Sequence, residues 1–123
     1  MSYHHVDPSA LAAAPDRPSV KRSISDACGL ERFALHQYEV APGEEIPLAY
    51  HYHDEQEEAF YVVSGELHVD TPEETYVVDA GEAFVVEPGS PQFAHVPEDG
   101  EETVALVVGA PPAADDAHAY EDA

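Results

Sequence analysis

Between residues 32 and 109 the chain is written in short apolar runs separated by turn residues. The stretch RFALHQYEV (32–40) ends at Pro42-Gly43, AFYVV (59–63) at Ser64-Gly65, and the run at 83–86 at Pro88-Gly89. Glycine after a short polar or proline residue supplies the positive φ of a tight turn, and runs of four to eight β-branched and aromatic residues between such points read as strands. The pattern predicts strands at 32–40, 48–53, 59–63, 66–70, 75–79, 83–86, 92–96 and 103–109. The runs at 59–63 and 66–70 follow so closely that a hairpin joins them. No part of this core sustains a 3.6-residue period. About eight short strands with regular turn signals specify an all-β barrel or sandwich.

The two ends are written differently. Residues 1–25 hold Pro8, Pro15 and Pro18 and the alanine-rich patch 10–14, and are expected to form a flexible arm lying on the barrel or on a partner, with at most a helical turn at 11–14. Residues 110–123, with Pro111, Pro112 and mostly acidic, histidine and alanine residues after them, are expected to be a disordered acidic tail. That leaves 26–109 as one barrel domain, which suits a chain of 123 residues. No apolar stretch is long enough to span a bilayer, and the start of the chain lacks the apolar run of a signal peptide. The lone Cys28 closes no bridge within the chain, so a cytoplasmic setting is expected.

Charge changes the picture most. The chain has 26 acidic residues against 4 basic ones, a formal charge of −22. The cations are Arg17, Lys21, Arg22 and Arg32, and none follows. Nucleic acid and anionic membranes repel such a surface, so neither is expected as a partner. The carboxylates run through the strands as well as the tail, and lysine is nearly eliminated. This favours a surface adapted to molar salt, where ions screen self-repulsion, over an ordinarily acidic one.

Candidate chemistry concentrates in His51-Tyr52-His53 and the following Glu57-Glu58. Residues two apart on a strand share a face, so the two imidazoles project together, roughly 6.6 Å apart along the strand. A carboxylate across the following bend would complete a two-histidine, one-carboxylate set that leaves coordination positions open. Alternation alone does not choose between Glu57 and Glu58, because both faces of AFYVV are apolar. His36 and His68 lie in predicted strands and are expected to be structural or exposed. Tyr38, Phe60, Val62 and Phe93 are candidate pocket walls. His4, His5 and His118 fall in the ends and are expected to do nothing specific. The run Asp54-Glu55-Gln56-Glu57 reads as a solvated loop at the mouth, whose negative field draws cations inward. No phosphate-cradling glycine–lysine loop and no nucleophilic-serine motif is present.

The succession Gly43, His51, His53, Glu58 and Gly65 resembles the first motif of the cupin family: a glycine, a linker, H-x-H, three or four residues, a glutamate, six residues and a glycine. The six residues between Glu58 and Gly65 select Glu58, with Glu57 as the fallback. Seven residues rather than five separate Gly43 from His51. The stretch from Gly81 through Pro88-Gly89 to Gln92 resembles the second motif, with departures. Glu87 stands at the proline position, Gln92 at the histidine position, and Val96 where an asparagine is expected. The resemblance spans about 32–108 and extends to the small single-domain cupins of haloarchaea.

The resemblance implies a double-stranded β-helix (jelly-roll) barrel holding one divalent transition metal on His51, His53 and Glu58, with Gln92 beside it. Iron or manganese is favoured, with zinc, nickel or copper as alternatives. His95 could replace Gln92 only if a bulge turned it inward. The family implies a homodimer and a small-molecule ligand or substrate. It points to a metal-dependent enzyme of dioxygenase or isomerase type, or else to a non-catalytic binding module.

Overall fold

The computed structural model describes residues 1–112 and 116–121. Ten strands run in chain order: β1 (Val20–Ser23), β2 (Ala34–Val40), β3 (His51–His53), β4 (Glu57–Ser64), β5 (Glu66–Asp70), β6 (Thr75–Asp79), β7 (Ala83–Val86), β8 (Phe93–His95), β9 (Thr103–Ala110) and β10 (Ala117–Ala119). A short helix α1 (Ile24–Cys28) lies between β1 and β2, and a 3-10 turn occupies Pro8–Ala10. No helix among the described residues is long and apolar enough to cross a membrane.

The strands form a five-stranded sheet, β1-β2-β9-β4-β7, a three-stranded sheet, β6-β5-β8, and a two-stranded ribbon, β10-β3. The pairings are antiparallel. An isolated bridge from His51 to Gln92 lays β3 beside the start of β8 and so extends the smaller sheet towards β10. The two layers close over one core, with Val40, Val62, Leu67 and Val69 wholly buried and Phe60 and Val96 at 1% exposure. Each such side chain contributes roughly 1.5–3 kcal/mol by leaving water.

Register explains why the barrel is solid at one end and hollow at the other. On the inner face of the large sheet, Val40 stands opposite Thr103, and Val62 opposite Ala105. One row further come His36, Val107 and Phe60, and then Ala34, Gly109 and Glu58. Ala34 and Gly109 contribute almost no side chain to that last row and leave space beside Glu58. A Cβ at Gly109 would lie 2.5 Å from the Gln56 Nε2, so a larger residue there would displace the Gln56 amide. Gly65, between β4 and β5, has φ +83, and a Cβ would meet the Glu102 carbonyl at 2.6 Å. Only glycine fits that corner.

Seven of the eight expected strands reappear with ends shifted by no more than two residues. The two flanking the site are shorter than expected: 48–53 contracts to β3, and 92–96 to β8. The expected ends need correction. The arm at 1–25 contains β1, which pairs with β2 from Val20–Glu39 to Ser23–His36, so the sheet begins before residue 26. All four β1 residues are half-buried, and an edge strand without apolar alternation leaves no periodic signal. The turn expected at 11–14 lies at Pro8–Ala10, where Asp7 caps it by accepting from the Ser9 N–H. The tail expected to be disordered contributes β10, which pairs with β3. The tail residues at 113–115 and 122–123 lie outside the described residues.

Candidate metal centre

A cavity of ≈ 360 Å³ opens at the hollow end, with His51, His53, Glu58 and Gln92 on its wall. The His51 and His53 rings stand edge to face with centroids 4.8 Å apart. Each is oriented through Nδ1. That of His51 meets the Ala49 carbonyl at 2.9 Å, and that of His53 meets the Asp116 carboxylate at 2.8 Å. A bond from Nδ1–H to an oxygen leaves Nε2 as the free lone pair, the usual arrangement behind a metal-binding imidazole. Glu58 reaches the pair from β4: one ligand atom from each of the three residues lies within 4.8 Å of the others.

Gln92 is 2% exposed, and its Nε2 donates to the Glu58 Oε1 at 3.0 Å. Its Oε1 is enclosed and has no hydrogen-bond partner. A buried, unpaired acceptor is costly unless something completes it. Two imidazoles, a carboxylate and this orphaned oxygen form a donor set that fits a divalent transition metal.

The electrostatics agree. Burial pushes the His51 pKa down despite the Ala49 carbonyl, which favours the neutral imidazole that a metal needs. Burial pushes the Glu58 carboxyl up; His53 opposes this and Asp116 adds to it. Burial alone would raise Asp116, but the backbone N–H groups of Glu55 and Gln56 and the His53 ring outweigh it and hold its carboxyl low. Tyr38, on the opposite wall, is pushed up to about 12, mainly by burial, so its hydroxyl remains a neutral donor.

The cavity brings His51, His53, Glu58 and Gln92 together and leaves out Glu57 and His95. Glu57 is exposed. His95 lies on the outer face of β8, with its Nε2 3.1 Å from an Asp70 carboxylate oxygen. No bulge turns it inward. Tyr38 and Phe60 line the cavity as expected. Val62 is in the core, and Phe93 stacks outside on Tyr50. His68 is paired with Glu66, whereas His36 lines the cavity.

Three further residues were not legible in the sequence. Asp116 anchors His53 and also accepts from the backbone N–H groups of Glu55 and Gln56 at 3.0 and 3.1 Å. Gln56, expected in a solvated loop, is 6% exposed and donates to the Pro111 carbonyl. His118, expected to be idle, lines the cavity, stacks on Tyr52 and bonds to Asp54 at 2.6 Å.

The Cupin_2 model, described as the cupin domain, matches residues 36–109. The chain is a cupin. Among solved structures it is similar to a candidate sugar phosphate isomerase from Acidithiobacillus ferrooxidans, at 29% identity and TM-score 0.67. That match covers 75% of this cupin and 58% of the other chain, so this protein spans little more than half of that relative. It is similar to the polyketide cyclase RemF from Streptomyces resistomycificus, at 25% identity, TM-score 0.75, and coverage of 89% and 80%. A double-stranded β-helix protein from Klebsiella pneumoniae, at 18% identity and TM-score 0.75, covers 98% of this chain with all of its own and shows the fold alone. A comparison with curated proteins gives no match.

Proposed function

We propose that this cupin binds one divalent transition metal through His51, His53 and Glu58 and acts on a small organic molecule held in the barrel cavity. The observation that carries the reading is the pair of imidazoles whose Nδ1 atoms are already committed, grouped with a half-buried carboxylate. A two-histidine, one-carboxylate set leaves positions for water, oxygen or substrate and leans towards iron or manganese. Such an ion supplies Lewis acidity or oxygen activation. The chain's own residues do the rest. Asp116 and the Ala49 carbonyl fix the imidazoles, Gln92 steadies Glu58, and Tyr38 offers a neutral hydroxyl to a ligand. The names of the isomerase and cyclase relatives fit chemistry on a small oxygenated molecule.

Elemental analysis of the native protein, alongside the His51→Ala/His53→Ala double variant, tests the proposal. Near-stoichiometric metal is expected in the wild type and none in the variant. A wild type that carries no metal and takes up none refutes it.

A second reading, a non-catalytic small-ligand module, is favoured by Gln92, since it places an amide where the family pattern has an imidazole. Oxygen uptake and product formation across phenols, diketones and sugar derivatives separate catalyst from binder.

We further propose that the protein pairs with a second copy through the outer face of its large sheet. There the register aligns Leu35, Val108, Ala59 and Val85 in one row, and Gln37, Leu106, Tyr61 and Ala83 in the next. None of these is charged, and of the carboxylates in the flanking rows Glu39 is paired with Arg22, so two copies of a −22 chain meeting on these two rows set no carboxylate within them.

A further inference from the structure

We propose that Arg17 is the recognition group for an anionic substituent, a carboxylate or phosphate, on the small molecule whose other end meets the metal centre. The inference deepens the proposed function and rests on it for the second half of that sentence. Arg17 comes from the N-terminal segment and lines the same cavity as His51, His53 and Glu58, alongside Tyr38 and His36. It is the only one of the chain's four basic residues on that wall.

The protein does not complete its hydrogen bonding. A guanidinium offers five N–H donors in a planar fork. The Ile46 carbonyl takes one, from Nη2, at 3.1 Å, and the Tyr38 hydroxyl lies within hydrogen-bonding reach. The Nε is enclosed and unpartnered. Among the described residues no carboxylate pairs with Arg17, although the chain carries 26 acidic residues, whereas Arg22 is spent on Glu39 at 2.8 Å. An arginine serving only to pin the arm would be expected to find one of those carboxylates. Left unneutralised in the wall, it becomes the local positive charge that an anion needs in order to enter a chain of −22. Its fork matches carboxylate and phosphate oxygens in a way lysine does not, and the Tyr38 hydroxyl adds a neutral donor beside it. A cavity of ≈ 360 Å³ limits the ligand to a small molecule.

The test is calorimetric titration of the Mn(II)-loaded protein with molecules that share a 2-hydroxycarboxylate end and differ at the other. 2-Hydroxyglutarate carries a distal carboxylate, 3-phosphoglycerate a distal phosphate, and 2-hydroxypentanoate a methyl group. At least one distal anion should bind about tenfold or more tightly than 2-hydroxypentanoate, and which one identifies the anion. Arg17→Gln should abolish the preference. Arg32→Gln makes the same change in net charge at an exposed position and should leave it intact. Arg17→Lys should keep part of it, which guards against a glutamine variant that loses the arm's anchor. A wild type without preference, or a preference that survives Arg17→Gln, overturns the inference. Pentanoate against pentanamide on metal-free protein reads Arg17 independently. If the protein takes up no metal, the metal reading falls, and an Arg17-dependent preference for pentanoate still decides the anion site.

Discussion

Asp116 gives the sharpest test of how the C-terminal segment supports the centre. Its carboxylate accepts three hydrogen bonds: from the His53 Nδ1 at 2.8 Å and from the Glu55 and Gln56 backbone nitrogens at 3.0 and 3.1 Å. In Asp116→Ala all three donors lose their partner. The His53 ring is then free to rotate and becomes less basic, and losing such a support typically costs about 10–100-fold in metal affinity, or about 1.4–2.7 kcal/mol. The Gln56 N–H, beside a buried side chain, adds about 1–3 kcal/mol of lost stability where water does not replace the acceptor. Asp116→Asn keeps one acceptor oxygen without the charge and should fall nearer the lower bound. Competition of Mn(II) or Co(II) against a chelating dye measures the affinity, and thermal melting followed by circular dichroism checks the fold. Coupling is reciprocal: if the docked segment strengthens metal binding, metal favours the docked segment and should slow proteolysis at 116–121. A folded Asp116→Ala protein with wild-type affinity, and a tail cleaved equally fast with and without metal, would refute this role.

Other consequences are independent of Asp116. His36 is held at about 4, chiefly by burial with Lys21 adding, so between pH 6.5 and 4 the unfolded chain binds the proton that the folded one refuses. Relative to His36→Leu, the wild type should therefore lose stability as pH falls through that window. After discounting for its half exposure, about 1–2 kcal/mol is expected from denaturant melts at each pH; parallel profiles would contradict it. The charge of −22 implies a melting temperature that rises from dilute buffer to molar KCl, with each kcal/mol of screened repulsion worth about 4 °C in a domain of this size. Equal melting temperatures in the two media would count against salt adaptation. Tyr61, 47% exposed in the uncharged rows of the outer face, should convert the protein to monomer when changed to Glu, read by sedimentation at fixed salt. A wild type that sediments as a monomer removes the dimer proposal.

Much of this cupin was decided by local sequence. Alternation and turn glycines determine the barrel strands, because side-chain period and positive φ act over a few residues. His51 and His53 share a face for the same local reason. The spacing to Gly65 singles out Glu58 through the resemblance to the family motif, and in β4 Glu58 shares the inner face with Phe60 and Val62 while Glu57 is exposed. Other features rest on contacts between distant segments, which no local pattern encodes. Asp116 is 63 residues from the imidazole it holds, Gln92 is 34 from Glu58, and Arg17 is 29 from Ile46. Arg17 and Asp116 are placed by the edge pairings of β1 and β10, strands too short and too evenly exposed to carry a periodic signal, and Gln92 by its bridge to His51. The hollow end of the barrel is likewise a tertiary product. Ala34 and Gly109 are unremarkable in sequence and make room only because the register sets them in one row beside Glu58.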